Sequence, residues 1–178
     1  MKRAELEHVL RAAGEICEED HFIVIGSQAI LGQFPNAPQC LRVSVEADLI
    51  PAYRPERTDL IDGTIGELSP FHATYGYYAH GASERTAVLP AGWRERLITV
   101  SNPNTRGVTG LCLEVHDLLA SKLVAGREKD LQFVRQAILH RLATECVLLD
   151  RIEGTPVDPA ERKRLGVLVH SCCRDPGS

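Results

Sequence analysis

Hydrophobic positions in the first part of the chain change from helical spacing to strand spacing. Residues 4–18 carry an apolar stripe at i, i+3, i+4 and i+7 that predicts an amphipathic helix; its members are Leu6, Val9, Leu10, Ala13 and Ile16 or Cys17. Residues 22–25 are continuously apolar, which is typical of a short strand covered on both faces. Gly26 and Ser27 end this strand, and residues 28–32 indicate a short helix.

A second strand is predicted at residues 41–50, because apolar and polar residues alternate there. The alternation sets Leu41, Val43 and Val45 against Arg42, Ser44, Glu46 and Asp48. Pro51 ends the strand. Side chains at i and i+2 of a strand point to the same face, so we expect Glu46 and Asp48 to project side by side.

The remainder of the chain changes from mixed to helical patterns. Residues 58–68 indicate a helical or turn-rich segment, and the stretches HATYGYYAHG, ERTAVLP and RLITVSN predict two or three more strands. A break is expected at Gly126, and the predicted helices span residues 115–125, 128–142, 143–152 and 159–172. We therefore expect an α/β core at residues 1–105 and a helical C-terminal region at residues 106–178 that packs on it.

Composition excludes few classes of function. The 178 residues are 44% hydrophobic and 25% charged, as in ordinary globular proteins, and a net charge of -4 gives no global attraction to nucleic acid. No apolar run approaches the roughly 20 residues that span a bilayer, so no membrane association is expected. The cysteines match no zinc-site spacing and the start of the chain has no apolar signal core, which predicts reduced thiols and a cytoplasmic location.

The residues that carry chemistry lie after the first predicted strand and along the second. Glu46 and Asp48 repel each other unless a cation lies between them, and a divalent cation is the usual solution. Gly26 and Ser27 precede a helix whose backbone N–H groups suit a phosphate. Each feature alone is common, since acid pairs often only line a solvated strand. Together they are typical of phosphoryl or nucleotidyl transfer, which depends on positioning and charge neutralisation.

The order strand, Gly-Ser, helix, loop and acid-x-acid strand resembles the nucleotidyltransferase superfamily that includes DNA polymerase beta-like enzymes. Within it, the chain is similar to bacterial proteins of the AbiEii toxin type. The matching stretches are IGSQAILG, SVEADLIP, LPAGWRERL and LEVHDLLASKLVAGREKDLQFV. The resemblance implies an α+β fold with a polymerase-beta-type mixed sheet, flanking helices and a C-terminal helical region.

The resemblance also implies roles for individual residues. These are metal ligation by Glu46 and Asp48, phosphate binding by Gly26 and Ser27, and contact with the nucleotide or acceptor by Lys122, Lys129 and Asp130. The residues alone leave simpler explanations open. Lys122 suits a surface lysine laid along an amphipathic helix, and Asp130 suits a charge in the first turn of a helix.

The activity implied is a magnesium-dependent transfer of a nucleoside monophosphate from a nucleoside triphosphate to an acceptor. A tRNA or a protein is the implied acceptor, and a cognate antitoxin is the implied partner. The chain departs from the superfamily pattern because its first acid is Glu46 instead of Asp and its third carboxylate lies on no evident strand; Asp62 and Glu67 are the nearest candidates. These departures favour a second interpretation, a catalytically weak nucleotide-binding or regulatory module of the same fold.

Overall fold

The computed structural model describes residues 1–174, whose contacts form two compact units. The first, here called the sheet unit, comprises Met1–Thr86 and Leu97–Leu113. The second, the helical unit, comprises Ala87–Arg96 and the described chain from Glu114 onward. The domain division expected at residues 105 and 106 stays a prediction.

A five-stranded mixed sheet forms the centre of the sheet unit, in the order β3-β2-β1-β5-β4. The strands are β1 (His21–Ile25), β2 (Glu46–Pro51), β3 (Tyr78–Gly81), β4 (Ile98–Val100) and β5 (Thr109–Cys112). β1 is antiparallel to β2 and parallel to β5, while β2 and β3 are parallel and β4 and β5 are antiparallel. The central position of β1 explains its unbroken apolar run, because both of its faces are covered.

Four helices accompany the sheet in its unit: α1 (Arg3–Cys17), α2 (Ile30–Gln33), α3 (Thr58–Ile65) and α4 (Pro70–Tyr75). The predicted stripe of α1 is confirmed, with its Leu, Val, Ala and Cys side chains buried. α1 packs against α3, and α3 packs against β3. A short 3₁₀ turn, Ser27–Ala29, separates β1 from α2.

Several predicted strands differ from those in the structure. The first half of the 41–50 prediction is wrong, because pairing of β2 with β3 begins only at Glu46 and Val43 is 76% exposed. The first four residues of HATYGYYAHG are helical and not a strand. They belong to α4, which begins at Pro70 directly after the capping side chain of Ser69. The stretch ERTAVLP contains only a 3₁₀ turn, while β5 was not predicted as a strand.

The helical unit contains α5 (Val115–Ala125), α6 (Glu128–Leu139), α7 (Glu145–Glu153) and α8 (Pro159–Arg174). The predicted break is confirmed, because Gly126 adopts a φ of 64°, a left-handed conformation that ends α5. α6 ends three residues before its predicted limit. With the mixed sheet of the other unit, these helices confirm the α+β fold class.

None of the helices within residues 1–174 combines the length and the apolar character that a membrane span requires.

Candidate active site

The register between β2 and β3 sets two rows of polar side chains next to each other. Glu46 lies opposite Tyr78, and Asp48 lies opposite His80. Because alternate residues of a strand share a face, and paired residues of neighbouring strands do too, these four side chains project from the same side of the sheet. The expected projection of the two acids is confirmed, since the residue between them, Ala47, is buried on the other side.

Ligand atoms of Glu46, Asp48 and His80 all lie within 4.8 Å of one another. Both acids are partly buried, and the histidine is exposed. Two carboxylates this close favour a positive charge between them, and the carboxylate and imidazole groups are ligands of divalent cations. This donor set therefore fits a divalent metal ion, which the acid pair alone had suggested.

Asp62, which was one candidate for a third carboxylate, pairs with His80. Its Oδ1 is 3.0 Å from His80 Nδ1 and also accepts a hydrogen bond of 3.0 Å from the backbone N–H of Gly81. Asp62 is not among the three residues whose ligand atoms gather together. Burial raises the pKa of the Tyr78 hydroxyl, and the negative charges of Glu46 and of the other candidate, Glu67, add to this effect. The same hydroxyl donates a long hydrogen bond of 3.4 Å to Glu46 Oε2.

Gly26 determines how closely the acid row approaches the end of β1. Its φ of 66° and ψ of -170° lie in a region that is essentially restricted to glycine. A Cβ atom at this position would lie 1.9 Å from Asp48 Oδ2, so any side chain would displace the carboxylate. The glycine therefore permits the contact that brings the Gly26-Ser27 turn against the predicted metal ligand.

The turn after β1 is also tied to the segment that precedes β2. Gln28 is fully buried, and its Nε2 donates a hydrogen bond of 3.0 Å to the Ser44 carbonyl oxygen. Ser27 begins the 3₁₀ turn, and the α-helix that follows has only four residues. A phosphate at this turn would meet backbone N–H groups with little support from a helix dipole, which grows with the number of aligned peptide units.

The resemblance also points to Lys122 and Asp130, and both are buried in the helical unit. Lys122 Nζ donates to Asp130 Oδ1 at 3.1 Å, and the side chains are only 9% and 2% exposed. Lys122 Nζ also lies 4.4 Å from the centre of the Phe133 ring, and Arg127 Nε donates to Asp130 Oδ2 at 2.6 Å. Lys122 is therefore not an exposed surface lysine, whereas Asp130 does lie in the first turn of α6 as the break at Gly126 requires.

Opposing influences act on the Asp130 carboxyl. Burial raises its pKa, but the hydrogen bond from Arg127 and the positive charge of Lys122 outweigh that effect, and the pKa is lowered. The group is therefore an ionised carboxylate that two cations neutralise. Lys129 is exposed on the same turn.

Residues 4–156 match the model of the family described as nucleotidyltransferase of unknown function (DUF6036). The chain belongs to this family. No curated protein and no solved structure matches it. The match to this nucleotidyltransferase family covers β1, the Gly26-Ser27 turn, the acid row of β2 and the Lys122–Asp130 pair.

His80 is the residue beside the acid row that sequence reasoning missed. The stretch HATYGYYAHG was interpreted as strand, so the spacing of Tyr78 and His80 matched that of Glu46 and Asp48. The alternation along the chain does not give the register between two strands, and only the pairing of β3 with β2 aligns His80 with Asp48.

Proposed function

We propose that the chain is a magnesium-dependent nucleotidyltransferase that transfers a nucleoside monophosphate from a nucleoside triphosphate to an acceptor hydroxyl. The observation that supports this most is the approach of Gly26 to Asp48 in a member of a nucleotidyltransferase family. That approach joins the turn suited to phosphate with the carboxylate suited to a cation, in one unit of the chain.

In this proposal Glu46 and Asp48 hold Mg²⁺, which neutralises charge on the triphosphate when it is bound. The backbone N–H groups at Gly26 and Ser27 bind phosphate oxygens and orient the triphosphate chain. The acceptor oxygen forms a bond to the α-phosphorus while the bond from the α-phosphorus to the bridging oxygen breaks. Pyrophosphate leaves with the electron pair, and the acceptor hydroxyl passes its proton to solvent water.

Lys122, Lys129 and Asp130 enter the proposal through the resemblance, as groups that neutralise phosphate charge and assist the acceptor. The structure gives Lys122 and Asp130 a second explanation, since each already neutralises the other. Activity lost on substituting either residue therefore has to be compared with the stability lost. The same resemblance, to AbiEii-type toxins, suggests tRNA or a protein as acceptor and an antitoxin as partner.

A catalytically weak module that binds nucleotides is the second candidate function. It is favoured by the ligand set, in which a glutamate begins the acid row and Asp62 is bonded to His80 instead of standing as a third acid beside Glu46 and Asp48. Such a module would bind a triphosphate with the same turn but would release no pyrophosphate.

The test is to incubate the purified chain with Mg²⁺, each of the four α-labelled ribonucleoside triphosphates, and either total RNA or a protein extract. We expect label transfer by the unmodified protein and its loss in Asp48→Asn. The control is Asp59→Asn, which changes an exposed aspartate of α3 and should preserve transfer.

The two candidate functions predict different failures of this assay. A thermal shift experiment could show triphosphate binding while no condition gives transfer or pyrophosphate release. That result would favour the nucleotide-binding module over the enzyme. Absence of any triphosphate binding would overturn both.

A further inference from the structure

We propose that His80 is the third ligand of the divalent cation, that Asp62 is its positioning residue, and that the imidazole strengthens binding of Mn²⁺ and Co²⁺ more than binding of Mg²⁺. The inference rests on the proposed function only where it concerns catalysis. Its basis is the β2–β3 register, which aligns His80 with Asp48, and the separation of at most 4.8 Å between a His80 nitrogen and an oxygen of each carboxylate.

The hydrogen bond to Asp62 gives the imidazole the tautomer that a metal ligand needs. Metal-ligating histidines usually donate their other ring N–H to a carboxylate or carbonyl, which sets the tautomer and the ring orientation. Here Nδ1 lies 3.0 Å from Asp62 Oδ1, so a proton on Nδ1 leaves the lone pair of Nε2 for the cation.

Asp62 is itself held in place by the backbone. Its Oδ1 accepts from the N–H of Gly81, the residue after His80, at 3.0 Å. Gly81 also lets α3 approach β3 closely, since a Cβ atom there would lie 2.5 Å from the Thr58 carbonyl oxygen. The helix that carries Asp62 and the strand that carries His80 are therefore held together at the position where the two side chains meet.

An imidazole ligand changes which ions a site accepts. Mg²⁺ prefers oxygen ligands in a strict octahedron, whereas nitrogen ligands suit the first-row transition metals. Two carboxylates and one imidazole form a mixed set of oxygen and nitrogen ligands, for which affinity rises from Mn²⁺ to Co²⁺. His80 should therefore contribute to the affinity for Mn²⁺ and Co²⁺ and contribute little to that for Mg²⁺.

A second group in residues 1–174, Glu19, Asp20 and His21, also brings two carboxylates and an imidazole within 4.8 Å of one another. Its glutamate is already used, because the oxygens of Glu19 accept hydrogen bonds from the backbone N–H groups of Asp20, His21 and Tyr53. His21 nevertheless pairs with Asp20 as His80 does with Asp62, at 2.7 Å, which makes His21 a matched control.

The experiment measures binding of Mn²⁺, Co²⁺ and Mg²⁺ by calorimetry, and nitrogen hyperfine coupling to bound Mn²⁺ by pulsed electron paramagnetic resonance. The proteins are the full chain and its variants His80→Ala, His80→Asp, Asp62→Ala, Asp62→Asn and His21→Ala. Thermal unfolding without metal shows whether each variant is folded.

In the unmodified chain we expect nitrogen coupling and tighter binding of Mn²⁺ and Co²⁺ than of Mg²⁺. His80→Ala should abolish the nitrogen coupling and weaken Co²⁺ binding by about 10–100-fold, the loss that is typical when even a supporting group of a metal site is removed. His80→Asp should bind Mg²⁺ more tightly than the unmodified chain, because it supplies a third carboxylate, but should show no nitrogen coupling. His21→Ala should change neither the metal affinities nor the nitrogen coupling.

Asp62→Ala should weaken Co²⁺ binding by about 10–100-fold, while Asp62→Asn should recover most of it, because the amide oxygen still accepts from Nδ1. Equal losses for Co²⁺ and Mg²⁺ in His80→Ala, unchanged nitrogen coupling in that variant, or loss of binding in His21→Ala would each overturn the inference.

Failure of the proposed function has a different signature. Nitrogen coupling that depends on His80, with no label transfer in the presence of any metal, would overturn the proposed activity but support His80 as a metal ligand. Label transfer without nitrogen coupling would support the proposed activity and show that His80 is not a metal ligand.

Discussion

The carboxylates of the sheet unit and the carboxylate of the helical unit were assigned to the same chemistry, but their surroundings differ. Asp130 is 2% exposed and accepts hydrogen bonds from Lys122 and Arg127. Glu46 and Asp48 are less buried and lie beside each other and a histidine. A carboxylate that two cations neutralise needs no further ion, whereas adjacent carboxylates are stabilised by one.

This comparison separates structural acids from candidate catalytic acids by charge balance. Both groups lie within the matched family region, so the family match alone does not distinguish them. Substitutions in the helical unit should therefore change stability first, and substitutions around the sheet-unit site should change cation binding first.

The largest expected effect is the loss of stability in Asp130→Leu. This variant leaves the buried ammonium of Lys122 without its carboxylate, and breaking a buried pair in this way costs about 3–5 kcal/mol. Urea unfolding at neutral pH measures the change. The double variant Lys122→Met/Asp130→Leu should recover most of the loss, because no buried charge is left uncompensated.

If the single variant were as stable as the unmodified chain, the pair would have no structural role. Label transfer by a folded double variant would in turn remove Lys122 and Asp130 from the proposed catalytic groups.

Gly26→Ala should have the next largest effect and should act on the cation site. The added methyl group would meet Asp48 Oδ2, and the backbone would be strained at a φ of 66°, at a cost of about 1–3 kcal/mol. Titration with Mn²⁺ should show weaker binding. Gly76→Ala is the control, since its φ of 76° is also left-handed but nothing lies within 4 Å of the added atom.

The control should lose about 1 kcal/mol of stability and no cation affinity. Equal cation affinity in the two glycine variants would contradict the role of Gly26 in positioning Asp48.

A smaller effect is expected when the pH is lowered. The pKa of Asp130 is below its ordinary value, so its contribution to stability is complete above the unfolded-state pKa of about 3.9 and is lost as the pH falls through the folded-state pKa. The stability difference between the unmodified chain and Asp130→Leu should therefore persist at pH 4 and shrink below it. Urea unfolding across this range measures the difference.

Glu161→Ala serves as the comparison for acid titration, since Glu161 forms an exposed pair with Arg164. Its difference from the unmodified chain should be small at every pH, because exposed pairs contribute little. A difference for Asp130→Leu that grew as the pH fell would have the wrong sign for a lowered pKa.

The smallest effect is expected for Tyr78→Phe. The Tyr78 hydroxyl donates to Glu46 Oε2 at 3.4 Å, which is long for a bond between two oxygens. Its removal should change cation affinity by about twofold, the lower limit of what a hydrogen bond contributes. A loss as large as that of His80→Ala would show that Tyr78 positions Glu46.

The sequence correctly predicted those elements that are specified by residues close together in the chain. The apolar stripe of α1, the apolar run of β1 and the break at Gly126 each depend on residues within a few positions of one another. Predictions failed where the partner decided the outcome. Residues 41–45 alternate like a strand, but none of them has a register partner in β1 or β3.

The chain by itself determined the α+β class, the glycine turn and the acid row of Glu46 and Asp48, because each depends on a period or a short motif. Only the tertiary structure decided that His80 joins that row and that Lys122 and Asp130 neutralise each other. The reason is physical: a ligand set requires strand register and an ion pair requires helix packing, and both bring together residues that the sequence separates.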